Sequence, residues 1–250
     1  MLMHPVLLSS RSSRAFMLLQ YTAKLLIPVL TWRARVAGNG PSAAAISLAR
    51  LAVKISDFRT LWRLGGLPPI IAWASAIERT PTKSMTIKTI ERLQALAMLI
   101  FYPLEHASYL ASHKIIRLPR TLPFSSNKAP LDVKVLISRL GIWSTRAWAV
   151  YVMLQLVRLR VEWKILRAQG RKAKKEASEN LDAEAIHKQR EEFSKKREAI
   201  LGDAAINLAY LPLTVHWSLE SGLYKNEILS GIFGMAAAVY SMKASWKAAA

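Results

Sequence analysis

The sequence contains no cysteine, which excludes disulfides, thiolate metal ligands and thiol nucleophiles. Acidic residues are absent before Asp57, although Arg11, Arg14, Lys24, Arg33, Arg35, Arg50 and Lys54 all lie there. Histidine is sparse and scattered. His106 and His113 can share a helix face, but no carboxylate-histidine metal motif surrounds them, and Glu105, adjacent to His106, is expected on a different face. There is no Gly-rich phosphate loop, Walker motif or nucleophile elbow. No catalytic residue, metal ligand or cofactor is therefore named, and the reading is of a non-enzyme.

What is present is an unusual pairing. A net charge of +20 accompanies a hydrophobic fraction of 52% in 250 residues. Disorder is excluded by that apolar content. A basic soluble domain suggests nucleic acid, but nucleic-acid binders are seldom this apolar, and a mean hydropathy of +0.17 turns the expectation toward a bilayer. Eight Trp suit an interface. The acid-free, Arg- and Ser-rich start has two readings. One is a mitochondrial presequence. The other is a first helix, because Leu18, Leu19, Tyr21, Leu25 and Leu26 lead straight into long apolar segments. Met1 to Leu8 is too short and too weakly flanked for a secretory signal, and Lys247-Ala-Ala-Ala250 is not a matrix-import tripeptide.

Helical spacing recurs along the chain and sustained strand-like alternation does not, so the fold class is all-α. Ser12 or Ser13 is expected to cap a first helix reaching Leu30, bent or ended by Pro28. Gly38 to Pro41 is a loop, and Ser42 can cap the next helix. Gly65 to Pro69 stops it. A short apolar segment at Ile70 to Ile77 precedes a turn at Thr80 to Thr82. From Thr86 a long helix carries Ile90, Leu93, Ala97, Ile100 and Leu104, with Pro103 as its kink. Residues 118–130 read as a linker. Residues 131–200 read as a long charged helix or a helical hairpin with a loop. Its basic cluster, Arg171 to Lys175, is followed by mixed charge. A solvated face is the ordinary reading of such a run; the interspersed acids, with only Phe193 to stack, argue against nucleic acid.

The organising stretch is the helix expected at 46–64. Leu48, Leu51, Ile55, Phe58 and Trp62 recur at steps of four and three and form one apolar stripe. Arg50, Lys54, Arg59 and Arg63 flank it. Such a helix can lie on an anionic membrane with its cations at the headgroups. A soluble bundle helix would carry the same stripe into a core, and burial energy does not separate the two.

Two apolar segments close the chain, within 203–246. Ala204 to Leu219 holds Pro212 and His216, and makes a marginal span. Ile228 to Met242 is uncharged but shorter than the ~20 residues of a clean span. Within it Ser230, Gly234 and Ala238, with Gly231 beside them, form a small-residue seam that lets helices approach closely.

Taken in order, these segments resemble the peroxin-11 family of peroxisomal membrane proteins, over nearly the whole chain and nearest its fungal C-type branch. The first likeness is Arg14-Ala-Phe-Met-Leu-Leu-Gln-Tyr21 followed by Ala23 to Leu26, with Ser12-Ser13 where an acidic-basic pair is common. The second is Ser56, Arg59, Arg63 and Gly65, with Gly66 in place of a frequent lysine. The third is Tyr102-Pro-Leu-Glu-His106 with Tyr109-Leu110. The last is Asp203, Asn207, Leu211-Pro212, His216-Trp217, Gly222-Leu223, Asn226, Gly231 and Gly234.

The resemblance implies one membrane-associated helical domain over 1–250, with an amphipathic membrane-inserting helix and C-terminal anchoring helices. It resolves the stripe toward the membrane. It also implies a peroxisomal membrane location, an anionic phospholipid partner, self-association, and work beside a tail-anchored fission adaptor and a dynamin-related GTPase. Nucleic acid is not an expected partner. The function expected is elongation of the peroxisomal membrane before fission. Two alternatives are a pore or metabolite channel of that membrane, and a mitochondrial membrane protein with a presequence.

Overall fold

A computed structural model describes residues 3–38, 40–81, 84–118, 132–180 and 183–247. Among them the elements are α1 (Met3–Val36), α2 (Ala43–Trp62), a 3-10 turn (Arg63–Gly66), α3 (Leu67–Arg79), α4 (Met85–Ser112), α5 (Val133–Asn180), α6 (Ala183–Ser218) and α7 (Glu227–Lys247), with no strand. The expected linker falls at residues that, Leu118 apart, lie outside those described.

Local chemistry explains most of the boundaries. Ser42 caps α2 as expected, its hydroxyl accepting from Ala45 N at 3.2 Å. Ser84 caps α4 in the same way. Pro68 and Pro69 occupy the first turn of α3, where a missing N–H breaks no hydrogen bond.

Two expectations are corrected. Helix α1 neither starts at Ser12 or Ser13 nor ends at Pro28; it runs from Met3 to Val36 with Pro28 inside. A proline there removes only one backbone donor, and Thr31 Oγ1 adds a bond to the Ile27 carbonyl at 2.8 Å. Further on, α6 passes unbroken from the charged stretch into the apolar segment after Ala204, through Gly202 and Pro212. Helices α5 and α6 therefore pack as the two arms of a hairpin, the second of which becomes apolar along its length.

The helices form a series of neighbours: α2 on α1, α1 on α7, α7 on α6, α6 on α5, α5 on α4, and α4 on α3. The neighbours run antiparallel. Across α4 and α5, Gln94 meets Gln155 (Nε2 to Oε1, 2.7 Å) and Ser108 donates to the Ile137 carbonyl at 3.0 Å. Across α5 and α6, Trp148 packs edge-on to Tyr210 with centroids 5.4 Å apart, and Arg146 Nε donates to the Ser218 carbonyl at 3.1 Å. The tightest cluster is Met17 and Tyr21 of α1 against Ala237 and Ala238 of α7, with Tyr210 beside them. Small residues of α7 against large ones of α1 set the packing style of this seam.

Candidate membrane-binding face

Helix α2 packs on α1 with its smallest side chains. Ala45 and Ala52 are buried, half-buried Ala49 extends the same face by helical spacing, and Ser56 lies at its exposed edge. Arg59 and Arg63 continue it, at seven and eleven residues past Ala52. They therefore point into the protein rather than away from it. Arg59 Nη1 donates to Gln20 Oε1 of α1. Burial holds its guanidinium below the ordinary arginine value, and the neighbouring Tyr21 partly offsets this.

Arg63 forms a fork with Glu105 of α4, Nε to Oε2 at 3.0 Å and Nη2 to Oε1 at 2.7 Å. The Arg63 carbonyl lies 3.1 Å from His106 Nε2. Glu105 and His106 thus reach the same residue, one through its side chain and the other through its backbone, a convergence that sequence adjacency argued against. At Gly66 an added Cβ would lie 2.7 Å from the Tyr102 hydroxyl, which accounts for a side chain being absent there.

The apolar stripe lies roughly 90° round the helix from the packed face. Leu51 and Trp62 are each 52% exposed and Phe58 is 39% exposed; Leu48 and Ile55, nearer α1, are half-buried. Phe58 meets Phe16 of α1 edge-on at 5.0 Å and Trp62 at 5.7 Å. Arg50 and Lys54 are exposed. The nine residues of the sequence reading therefore divide: Leu51, Phe58, Trp62, Arg50 and Lys54 face outward, Leu48 and Ile55 lie at the seam, and Arg59 and Arg63 hold the helix to its neighbours.

The second group of sequence candidates is brought together within the chain. Ser230 is 1% exposed and Ala238 fully buried. A Cβ at Gly234 would overlap the Tyr21 ring, and one at Gly231 would lie 2.8 Å from Leu25 Cδ2. The seam of α7 is thus filled by α1, antiparallel to it, with Lys24 and Glu227 paired at 3.6 Å at one end. These two helices are the segments long and apolar enough to cross a membrane among the described residues, Ser12–Val36 and Glu227–Trp246.

Several residues that carried the family resemblance touch one another across the fold. Tyr21 and Leu25 lie on Gly234 and Gly231; Arg63 and Gly66 lie on Glu105, His106 and Tyr102. His216 Nδ1 accepts from Leu223 N at 2.9 Å, stacks on Tyr224 and closes over Gly222, whose φ of +69° suits glycine. Asn226 Oδ1 accepts from Ile228 N at 2.9 Å at the start of α7. Compared with models of known families, the chain matches that of peroxisomal biogenesis factor 11 over residues 9–246. It belongs to this peroxisomal biogenesis factor 11 family. Neither a curated protein nor a solved structure matches it.

Membership associates the chain with peroxisome biogenesis, in a family of biogenesis factors rather than of known enzymes. For a member of the peroxisomal biogenesis factor 11 family, the outward surface is notable for its apolar content. Trp32 and Val36 of α1 are exposed past the end of the seam, and Ile232, Val239 and Trp246 of α7 are exposed on the side turned away from it.

Sequence reasoning missed the packed face of α2. The signal was there in Ala45, Ala49, Ala52 and Ser56, a run of small residues at steps of four and three. It was passed over because the larger residues drew the stripe.

Proposed function

We propose that the chain elongates the peroxisomal membrane by seating the outer flank of α2 in the cytosolic leaflet while α1 and α7 anchor the protein. The observation that carries this reading is the exposure of Leu51, Phe58 and Trp62, with Arg50 and Lys54 also exposed, on a helix whose neighbouring face is already packed. Insertion then requires no unfolding of the bundle. Half-burying three large side chains in acyl chains contributes about 2–4 kcal/mol, and two cations near an anionic leaflet add about 2 kcal/mol. A helix sunk about 5–10 Å expands one leaflet only, and crowding of many copies by self-association favours a tubule. Elongated membrane is then the substrate for a fission adaptor and a dynamin-related GTPase.

Imaging of the tagged full-length chain against peroxisomal and mitochondrial markers, at raised expression, tests this. Peroxisomes that grow long or numerous support it, provided that Leu51→Asp/Phe58→Asp keeps the location and loses the elongation. A mitochondrial signal, or elongation undiminished in the variant, would overturn it.

A further inference from the structure

The far end of the α5–α6 hairpin holds a cavity of about 620 Å³, within the range of small-molecule sites. None of its lining residues belongs to α1 or α2, so it is separate from the membrane-binding flank. Three arginines are among its lining residues, Arg167 of α5 and Arg190 and Arg197 of α6, each exposed to solvent. The latter two are seven residues apart, two turns, and so share a face. Arg167 lies over the Trp163 ring, 5.8 Å from its centroid, and Phe193 lines the cavity with Trp163.

Among the described residues, no acidic residue lines this cavity. Glu191 pairs outward with Lys195 at 2.7 Å, and Glu162 pairs with Arg158 at 2.8 Å. Among the described residues, none of the three arginines has a carboxylate partner. Like charges around one opening repel, and an anion seated among them offsets the repulsion. Guanidinium forks match phosphate oxygens in geometry, and an aromatic wall accepts the flat side of a ring. We infer that this cavity binds a small polyphosphate anion carried on a ring, either free in solution or as the headgroup of a phosphorylated lipid.

The test uses full-length protein in non-ionic detergent, titrated calorimetrically with inositol 1,4,5-trisphosphate. In parallel, the protein is floated with phosphatidylcholine vesicles containing either phosphatidylinositol 4,5-bisphosphate or unphosphorylated phosphatidylinositol. Saturable binding to the free anion assigns a soluble ligand; binding confined to the bisphosphate vesicles assigns a lipid headgroup. Arg190→Gln/Arg197→Gln is expected to weaken binding by about tenfold or more. Lys188→Gln/Lys196→Gln removes the same charge from exposed positions outside the cavity and is expected to change it by less than about threefold. A Cβ at Gly170 meets nothing within 4 Å, so Gly170→Trp fills the cavity while every charge remains, and should abolish binding. Far-UV circular dichroism checks that each variant stays helical. Absence of saturable binding in both arms would overturn the inference. So would an equal loss in the lysine variant together with unchanged binding by Gly170→Trp.

Discussion

Helices α2 and α7 both pack on α1 through small residues, yet they are held differently. On α7, Gly231 and Gly234 let Leu25 and Tyr21 lie directly against backbone, so close that a methyl group at Gly234 would overlap the Tyr21 ring and one at Gly231 would displace the end of Leu25. On α2 the seam is alanine, and the helix end is fastened instead by polar links, Arg59 to Gln20 and Arg63 to Glu105. A glycine seam is dry, local and intolerant. An alanine seam with a polar fastening places the helix while leaving its flank open. The difference fits an anchor in one case and a working surface in the other.

Breaking the α7 seam is expected to have the largest effect. Gly234→Leu drives a branched side chain into the Tyr21 ring, and overpacking of this kind costs about 1–3 kcal/mol or more. The thermal midpoint in detergent should fall well below that of any α2 variant. Equal midpoints would remove the distinction between the two seams.

Next is the polar fastening. Arg63→Ala leaves Glu105, whose side chain is 16% exposed, without its fork, an expected loss of about 1–3 kcal/mol. Arg63→Ala/Glu105→Ala should recover part of it, because removing both partners leaves no uncompensated charge. A double-mutant cycle on denaturation measures this; strict additivity would show that the pair does not hold α2. Ala52→Leu sharpens the comparison from the other side. It overfills a buried position, with an expected cost of about 1–3 kcal/mol and a displaced α2, visible as altered fluorescence of Trp62 in a variant lacking the other tryptophans.

The smallest effect on stability is expected at the open flank. Leu51 is half-exposed, so Leu51→Asp should alter stability by only about 0.5 kcal/mol. A large loss would mean that the flank belongs to the core.

How much of this was legible in the sequence follows from which residues do the packing. The all-α class, the Ser42 cap and the Ser230 to Ala238 seam were readable because their signals are local: periodicity, a hydroxyl before a helix, small residues at fixed steps. The path of α1 through Pro28 was not, since one proline marks a boundary only when neighbouring helices do not hold the chain straight. The orientation of α2 was hidden for a further reason. Stripe arguments weigh large apolar residues, whereas the residues that α2 buries are Ala45 and Ala52. Arg59 and Arg63 were placed at the surface on charge alone. Their partners, Gln20 and Glu105, lie 39 and 42 residues away in the chain, a separation that no local pattern encodes.

The open flank of α2 is tested most directly by reconstituting full-length native protein and Leu51→Asp/Phe58→Asp into vesicles rich in anionic phospholipid, and imaging their shape by electron microscopy. The expected result is tubules with the native chain and round vesicles with the variant, at equal incorporated protein and equal helical content. Tubules of the same number and width from both proteins would contradict the assignment of α2 as the element that bends the membrane.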